Sequence, residues 1–340
     1  MLNQIIICIK CGKKLGDSDL ICKYCKQRYS FLTVKYFNKN HLKNVDEMYF
    51  YYLPFNLFKK TDFKKTSLKK FNNKIWIKDE GENKSKSIKE KELIVGLKTA
   101  IHLKFKTAMC ISSGSGITVS NFLSHKYNFP IYTYSPKTNK KSFENQKITG
   151  KDYEDTFKKV LSLKNKKFFN ITPGINPYSQ EGAKVISWQL IAEKTNFDKI
   201  VIPCGNGSTL WGLYKGYREA KKNNLVNKIP ELYGVELTGG PIGKSMTSEK
   251  LIKNKSYKNS KAHGIDVKES FCLQKAIFAL KQTKGSMISV SEKEIENAYS
   301  ILHKKGFNPN YTAASSFAAS LKLHKKFPNK KICCILTASE

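Results

Sequence analysis

The 340-residue chain has almost no arginine: Arg28 and Arg218 are the two among 61 basic residues. Its formal net charge is +34, a balance that ordinarily points to a polyanionic partner. Arginine, however, reads phosphates and guanine edges through its planar fork, and a dedicated nucleic-acid surface would use it freely. The lysines are scattered among many asparagines and isoleucines, so the charge reads as compositional bias, and no specific nucleic-acid partner is expected. Long apolar runs are missing as well. Nothing approaches the roughly 18 consecutive apolar residues of a membrane span, and the opening Ile5-Ile6-Ile7-Cys8 is too short for a signal-peptide core. A cytoplasmic protein without a membrane partner is the expectation. There is no clear repeat or low-complexity block, and a 40% hydrophobic content suits one large or two medium buried cores.

Nine cysteines in a reducing compartment need a reason other than disulfides. In "CIKCGKKLGDSDLICKYC", Cys8, Cys11, Cys22 and Cys25 form two Cys-x-x-Cys knuckles. Each short knuckle can wrap two thiolates around one tetrahedral zinc ion, and two complete its shell. The expectation is a structural zinc ribbon over residues 1–30, with no open position for catalysis. Cys110, Cys204, Cys272, Cys333 and Cys334 lie in apolar runs and read as small buried hydrophobes.

Beyond an aromatic, lysine-rich connector the pattern alternates. "KIWIK", "TAMCIS", "PIYTYS", "FFNIT", "KIVIPC", "LYGVE", "SMISVS" and "KICCILT" read as strands. Amphipathic helices separate them, such as the segment from Glu90 with Leu93, Ile94, Leu97 and Ile101 on one face. Such alternation implies an α/β protein whose parallel sheets are covered on both faces. Ligands then gather at the carboxyl ends of the strands, where helix N-termini present N–H groups.

Three loops at such ends carry candidate chemistry. In "KIWIKDEGENKSKSIKEK", Ser87 and Glu90 have the spacing of a capping box, which predicts a helix from Ser87 with Lys89 in its first turn. The positive helix terminus disfavours an ammonium there and so favours an amine nucleophile. In "CISSGSGITVS", Ser112, Ser113, Gly114, Ser115 and Gly116 form a serine-glycine turn able to approach an anion. In "KIVIPCGNGSTLWGLYKG", Gly205, Asn206, Gly207, Ser208 and Thr209 link a strand to a helix as a phosphate cradle does. The glycine spacing is not that of a dinucleotide fold, and no Walker Lys-Ser/Thr follows. A small phosphorylated cofactor fits better than a nucleotide.

Together these segments resemble threonine synthase and, more broadly, the tryptophan-synthase-β-like, fold-type-II enzymes that use pyridoxal phosphate. The resemblance covers nearly the whole chain, and its motifs occur in family order. It implies two parallel-sheet α/β domains behind the zinc-ribbon arm: a catalytic region over 31–340, with a smaller subdomain at about 90–170 inserted in the larger one. The family's elbow Asn-Pro-Thr-Gly-Ser-Phe-Lys-Asp-Arg is matched at Asn83, Ser87 and Lys89, which makes Lys89 the catalytic lysine carrying the cofactor. The Ser-Ser-Gly-Asn loop is matched by Ser112 to Ser115, with Ser112, Ser113 and Gly114 towards substrate and Ser115 in the asparagine's place at the cofactor. Gly205, Asn206, Gly207, Ser208 and Thr209 match the phosphate loop. Thr337 matches the hydroxyl that meets the pyridine nitrogen.

The resemblance has departures. Lys84 and Lys86 replace the elbow's proline and glycine, Ala338 replaces a glycine, and the chain stops at Glu340. "NPYSQEGAKV" is similar to the threonine-synthase run Asn-Pro-aromatic-Arg-x-Glu-Gly-Gln-Lys-Thr, keeping Asn176, Glu181, Gly182 and Lys184. Ser179 stands where the family's arginine binds substrate phosphate, leaving Lys86, Lys91 or Lys184 to supply that charge. The implied activity is conversion of O-phosphohomoserine and water to threonine and phosphate. The alternatives are another β-elimination or β-replacement lyase on a small amino acid, or a non-catalytic zinc-ribbon relative that keeps the fold for binding. The oligomeric state stays open, a homodimer included.

Overall fold

The computed structural model describes residues 4–27, 29–37, 41–137, 143–163, 167–248, 252 and 260–340. Arg28 lies outside them. Thirteen strands are found among the described residues. They begin with β1 Gln4–Cys8, β2 Lys14–Leu15, β3 Leu32–Tyr36, β4 Leu68–Lys70, β5 Ile75–Asp79, β6 Thr107–Ile111 and β7 Ile131–Ser135. There follow β8 Gln146–Ile148, β9 Phe168–Asn170, β10 Lys199–Pro203, β11 Glu231–Leu237, β12 Ser286–Val290 and β13 Ile332–Leu336. All eight runs expected as strands are present. The short strands β4 and β8 were not anticipated, because each has three residues, none of them buried, and no alternation to betray it.

The chain divides into two compact units. The smaller comprises Met1–His41, Asp46–Asp62 and Lys89–Gly182. Its main sheet has the order β8-β7-β6-β9, all pairs parallel, and β2-β1-β3 forms a separate antiparallel sheet in the cysteine arm. The larger unit comprises Leu42–Val45, Phe63–Ile88 and Ala183–Glu340. Its sheet runs β12-β11-β10-β13-β5-β4 and is parallel except for the β4/β5 pair.

Strand β13 shows how the larger unit is built. Ile332, Cys334 and Leu336 point into a core with Phe317, Ala313 and Ile295, from the helices Tyr311–Lys326 and Glu292–Lys304. Cys333 and Ile335, one residue out of phase, join Leu210, Trp211 and Ala276 from the helices Ser208–Lys222 and Leu273–Gln282. With period-2 side chains and both faces buried, the strand reads as a continuous apolar run. The five non-knuckle cysteines are all buried, and burial pushes the Cys334 thiol up to about 11.

The elbow after β5 is held by the end of the chain. Asp79 caps the turn Glu80–Glu82 by accepting from Gly81 N at 3.0 Å. Asn83 Nδ2 donates to Glu80 O at 2.6 Å and Glu80 Oε2 at 2.9 Å. Ser87 then pairs antiparallel with Ala338, Ile88 N donates to Thr337 O at 2.8 Å, and Ser339 N donates to Lys86 O at 3.1 Å. Lys86 sits at φ 59°, the left-handed region that glycine occupies without steric cost. The conformation suited to the family's glycine is therefore kept with a lysine in it. Lys86→Gly should raise stability by about 1 kcal/mol, read as a higher urea midpoint at unchanged slope.

Candidate active site

In the smaller unit, Lys89 is the first residue of the helix Lys89–His102. The helix starts two residues later than the Ser87 expected, because Ser87 is paired in the bridge to Ala338. Lys89 still lies in the first turn, and its Nζ meets Glu92 Oε2 at 2.5 Å, with side-chain exposures of 31% and 0%. Sequence reasoning missed Glu92, although a glutamate three residues on from a helical lysine was the signal for it. The serine-glycine turn follows β6: Ser112 N donates to Tyr134 O, Gly114 N donates to Ser112 Oγ at 3.2 Å, and the helix Ser115–Tyr127 starts directly after Gly114. Ser112, Ser113, Gly114 and Ser115 thus line one strand-to-helix turn.

The run from Asn176 is more rigidly built than expected. Asn176 Oδ1 accepts from Tyr178 N at 2.8 Å and Ser179 N at 3.0 Å, while its Nδ2 donates to Asn170 O at 2.6 Å. The side chain expected to face substrate is engaged at both ends, Oδ1 capping the short helix Pro177–Glu181 and Nδ2 tying it to the end of β9. Ser179 is fully buried, its Oγ donating to Ile171 O at 2.9 Å. A Cβ on Gly96 would fall 2.2 Å from that Oγ, so helix backbone packs directly on the serine. Restoring the family's arginine there should fail. Ser179→Arg is expected to cost about 3 kcal/mol or more, from overpacking and a buried charge, measurable as a lowered urea midpoint.

Tyr178 explains part of that rigidity. It is fully buried, and its hydroxyl donates to the Asp17 carboxylate between the two cysteine knuckles. Burial first, then Asp17, holds the Tyr178 hydroxyl far above the usual phenol range. Beside it in the arm, the sulfurs of Cys8, Cys11, Cys22 and Cys25 all lie within 4.8 Å of one another. The Cys8–Cys25 and Cys11–Cys22 separations are 3.6 Å. Sulfurs about 2.3 Å from a tetrahedral centre stand about 3.8 Å apart, so the donor set fits one zinc ion.

In the larger unit, β10 delivers the glycine loop. Gly207, at φ 83°, caps the helix Ser208–Lys222 and brings no side chain to its first turn. A Cβ on Gly205 would lie 2.2 Å from Gly264 O, and one on Gly207 2.7 Å from Ala276 Cβ. Asn206 anchors the loop, its O accepting from Ser270 Oγ and Cys272 N, each at 2.9 Å. Sequence reasoning had no local signal for Ser270 and Cys272, since they lie far along the chain. Ser208 and Thr209 open the helix, and Thr337 follows β13 directly. This close-packed turn at a helix N-terminus is the kind of cradle that accepts a phosphate.

Lys184 departs from expectation. Its side chain is fully buried, and Nζ donates to both Glu219 oxygens at 2.9 Å. An ammonium neutralised in this way is committed to the helix packing of the larger unit. Lys86 is likewise engaged, Nζ reaching Glu340 O at 2.9 Å.

The pyridoxal-phosphate dependent enzyme family matches residues 60–338. The chain belongs to that family. Among relatives in it, the threonine synthase of Methanosarcina acetivorans is 27% identical over 265 residues, 74% of this chain and 65% of that protein. The threonine synthase of Methanocaldococcus jannaschii is 24% identical over 295 residues, covering 77% and 69%. The chain therefore spans about two thirds of the relatives it matches. The crystal structure of a fungal L-serine ammonia-lyase from Rhizomucor miehei superposes with a TM-score of 0.70 at 14% identity, covering 82% of this chain and 94% of that one. That likeness concerns the fold. No helix among the described residues is long and apolar enough to cross a membrane.

Proposed function

We propose that the protein is a pyridoxal-phosphate-dependent lyase acting on a small amino acid, with the conversion of O-phosphohomoserine and water to threonine and phosphate as its leading reaction. What supports this reading is that the smaller unit holds an accessible first-turn lysine, Lys89, and the larger unit holds a glycine loop that leaves no room for a Cβ at 205 or 207, in a chain whose relatives include threonine synthases. The residues present fit the cofactor. Gly205, Asn206, Gly207, Ser208 and Thr209 would hold its phosphate through loop and helix N–H groups. Lys89 Nζ would be the amine that holds it covalently and, when free, the base for the substrate's α-proton. Thr337 would offer a hydroxyl, a neutral partner, to the ring nitrogen, and Ser115 would serve in the role of the family's asparagine. Ser112, Ser113 and Gly114 supply N–H and hydroxyl donors for a substrate carboxylate. When bound, the cofactor supplies the electron sink that makes the α-proton labile.

A second reading, deamination or replacement on an unphosphorylated amino acid, is supported by the buried, uncharged Ser179 and by Lys184 being held by Glu219. Purified protein loaded with cofactor should release phosphate and threonine from O-phosphohomoserine. Turnover of serine or threonine without any on the phospho-ester would replace the first reading by the second, and no turnover of either would remove both.

The arm is proposed to carry one zinc ion on Cys8, Cys11, Cys22 and Cys25. Elemental analysis should give one zinc per chain in the parent and none in the Cys8→Ser, Cys11→Ser double variant. Because Asp17 ties this arm to Tyr178, loss of the metal should also raise amide exchange in residues 170–182. Equal zinc in both proteins would remove the metal site.

A further inference from the structure

We propose that Glu92 is the proton partner of Lys89: the proton that Nζ must give up before it acts as a nucleophile passes to Glu92 Oε2, and it returns across the same contact. This rests on Lys89 being the cofactor lysine. Glu92 acts through Lys89 and is therefore a positioning residue.

The geometry is local. Residues three apart share a helix face, and Nζ and Oε2 are 2.5 Å apart. Exposure is unequal: the Lys89 side chain is 31% exposed and that of Glu92 0%. The amine is thus reachable by a ligand while the carboxylate is shut away from water. Its second oxygen, Oε1, is buried and has no hydrogen-bond partner among the described residues. A buried carboxylate beside a lysine that has just become neutral would stand as an uncompensated charge, which is costly. Moving the proton removes that cost.

In the step the N–H bond breaks, an O–H bond forms on Oε2, and the electron pair stays on nitrogen. The pair is neutral overall before and after. Cys110, on β6, feels both charges, and burial pushes its thiol up to about 11. It stays an S–H and does not compete for the proton. Glu90 and Lys91 neighbour the pair in sequence but leave the helix in other directions.

Because the exchange is internal to a neutral pair, the reactive fraction of Lys89 should depend little on pH. That supplies a test independent of turnover. The full chain, freed of cofactor by dialysis, is mixed briefly with pyridoxal phosphate over a pH series, reduced with borohydride, and the label on the Lys89 peptide counted. The parent should label at a rate that changes little with pH. Glu92→Gln keeps the shape but cannot take the proton. Its labelling should be slower by about tenfold or more at neutral pH and climb about tenfold per pH unit as hydroxide does the work. Glu92→Asp should recover the flat profile at a reduced rate. Should Glu92→Gln fail to fold, Glu92→Asp decides alone, and labelling at the parent's rate overturns the proposal. Glu92→Gln labelling with the parent's rate and slope overturns it as well. Absence of label on Lys89 in the parent would instead overturn the cofactor assignment beneath it.

Discussion

Lys89→Ala should yield a folded protein that takes up no borohydride-fixed cofactor and loses turnover by about 10³-fold or more. Lys89 is the first residue of its helix and 31% exposed, so truncation removes little buried packing; the buried Glu92 carboxylate does lose its ammonium, and the variant's urea midpoint should fall for that reason. What disappears is the primary amine, and alanine offers no substitute. The effect should be specific to this lysine. Lys84, in the elbow, sits on the surface, and Lys84→Ala should keep both the label and the activity. Peptide mapping of reduced, cofactor-treated protein gives the answer directly. Cofactor fixed on any other lysine would end the assignment of Lys89.

Gly207→Asp should abolish cofactor retention while the rest of the larger unit stays folded. Two physical effects combine. The backbone at φ 83° is one that side-chain-bearing residues rarely adopt, and a Cβ there would stand 2.7 Å from Ala276 Cβ, so the loop must shift. The added carboxylate would also place a negative charge at a helix N-terminus meant for a phosphate, where two like charges a few ångströms apart repel. A fall in affinity of about 100-fold or more is expected in a cofactor titration followed by absorbance, with far-ultraviolet circular dichroism close to the parent's. Gly205→Ala, whose Cβ would meet Gly264 O, should move in the same direction by steric effect alone. Unchanged titration in a folded Gly207→Asp protein would place the phosphate elsewhere.

The family's elbow and the departures at Lys84 and Lys86 were legible in the sequence; the positive φ that Lys86 adopts came from the structure. The consequence of the Ser179 replacement was not. An arginine-to-serine change reads in sequence as the loss of a charge that another cation could restore. In the structure it is also a packing choice, because Ser179 Oγ lies where the helix backbone at Gly96 closes in. A side chain at this position is therefore chosen together with the core around it.

The sequence by itself determined what depends on short spacing and local periodicity. The four knuckle cysteines, the eight strands with their apolar runs, the glycine loop entering a helix, and Lys89 in a first helical turn are all encoded within a few residues of one another, where pleat, helical repeat and glycine's freedom act. The tertiary structure alone decided what depends on partners distant in the chain. The tail Thr337–Glu340 takes Ser87 as a strand partner and so moves the helix start to Lys89. Glu219 takes Lys184, Asp17 takes the Tyr178 hydroxyl, and Ser270 and Cys272 anchor Asn206. Each of these follows from the requirement that buried charges and polar groups find partners, and the partner available is set by how the elements pack.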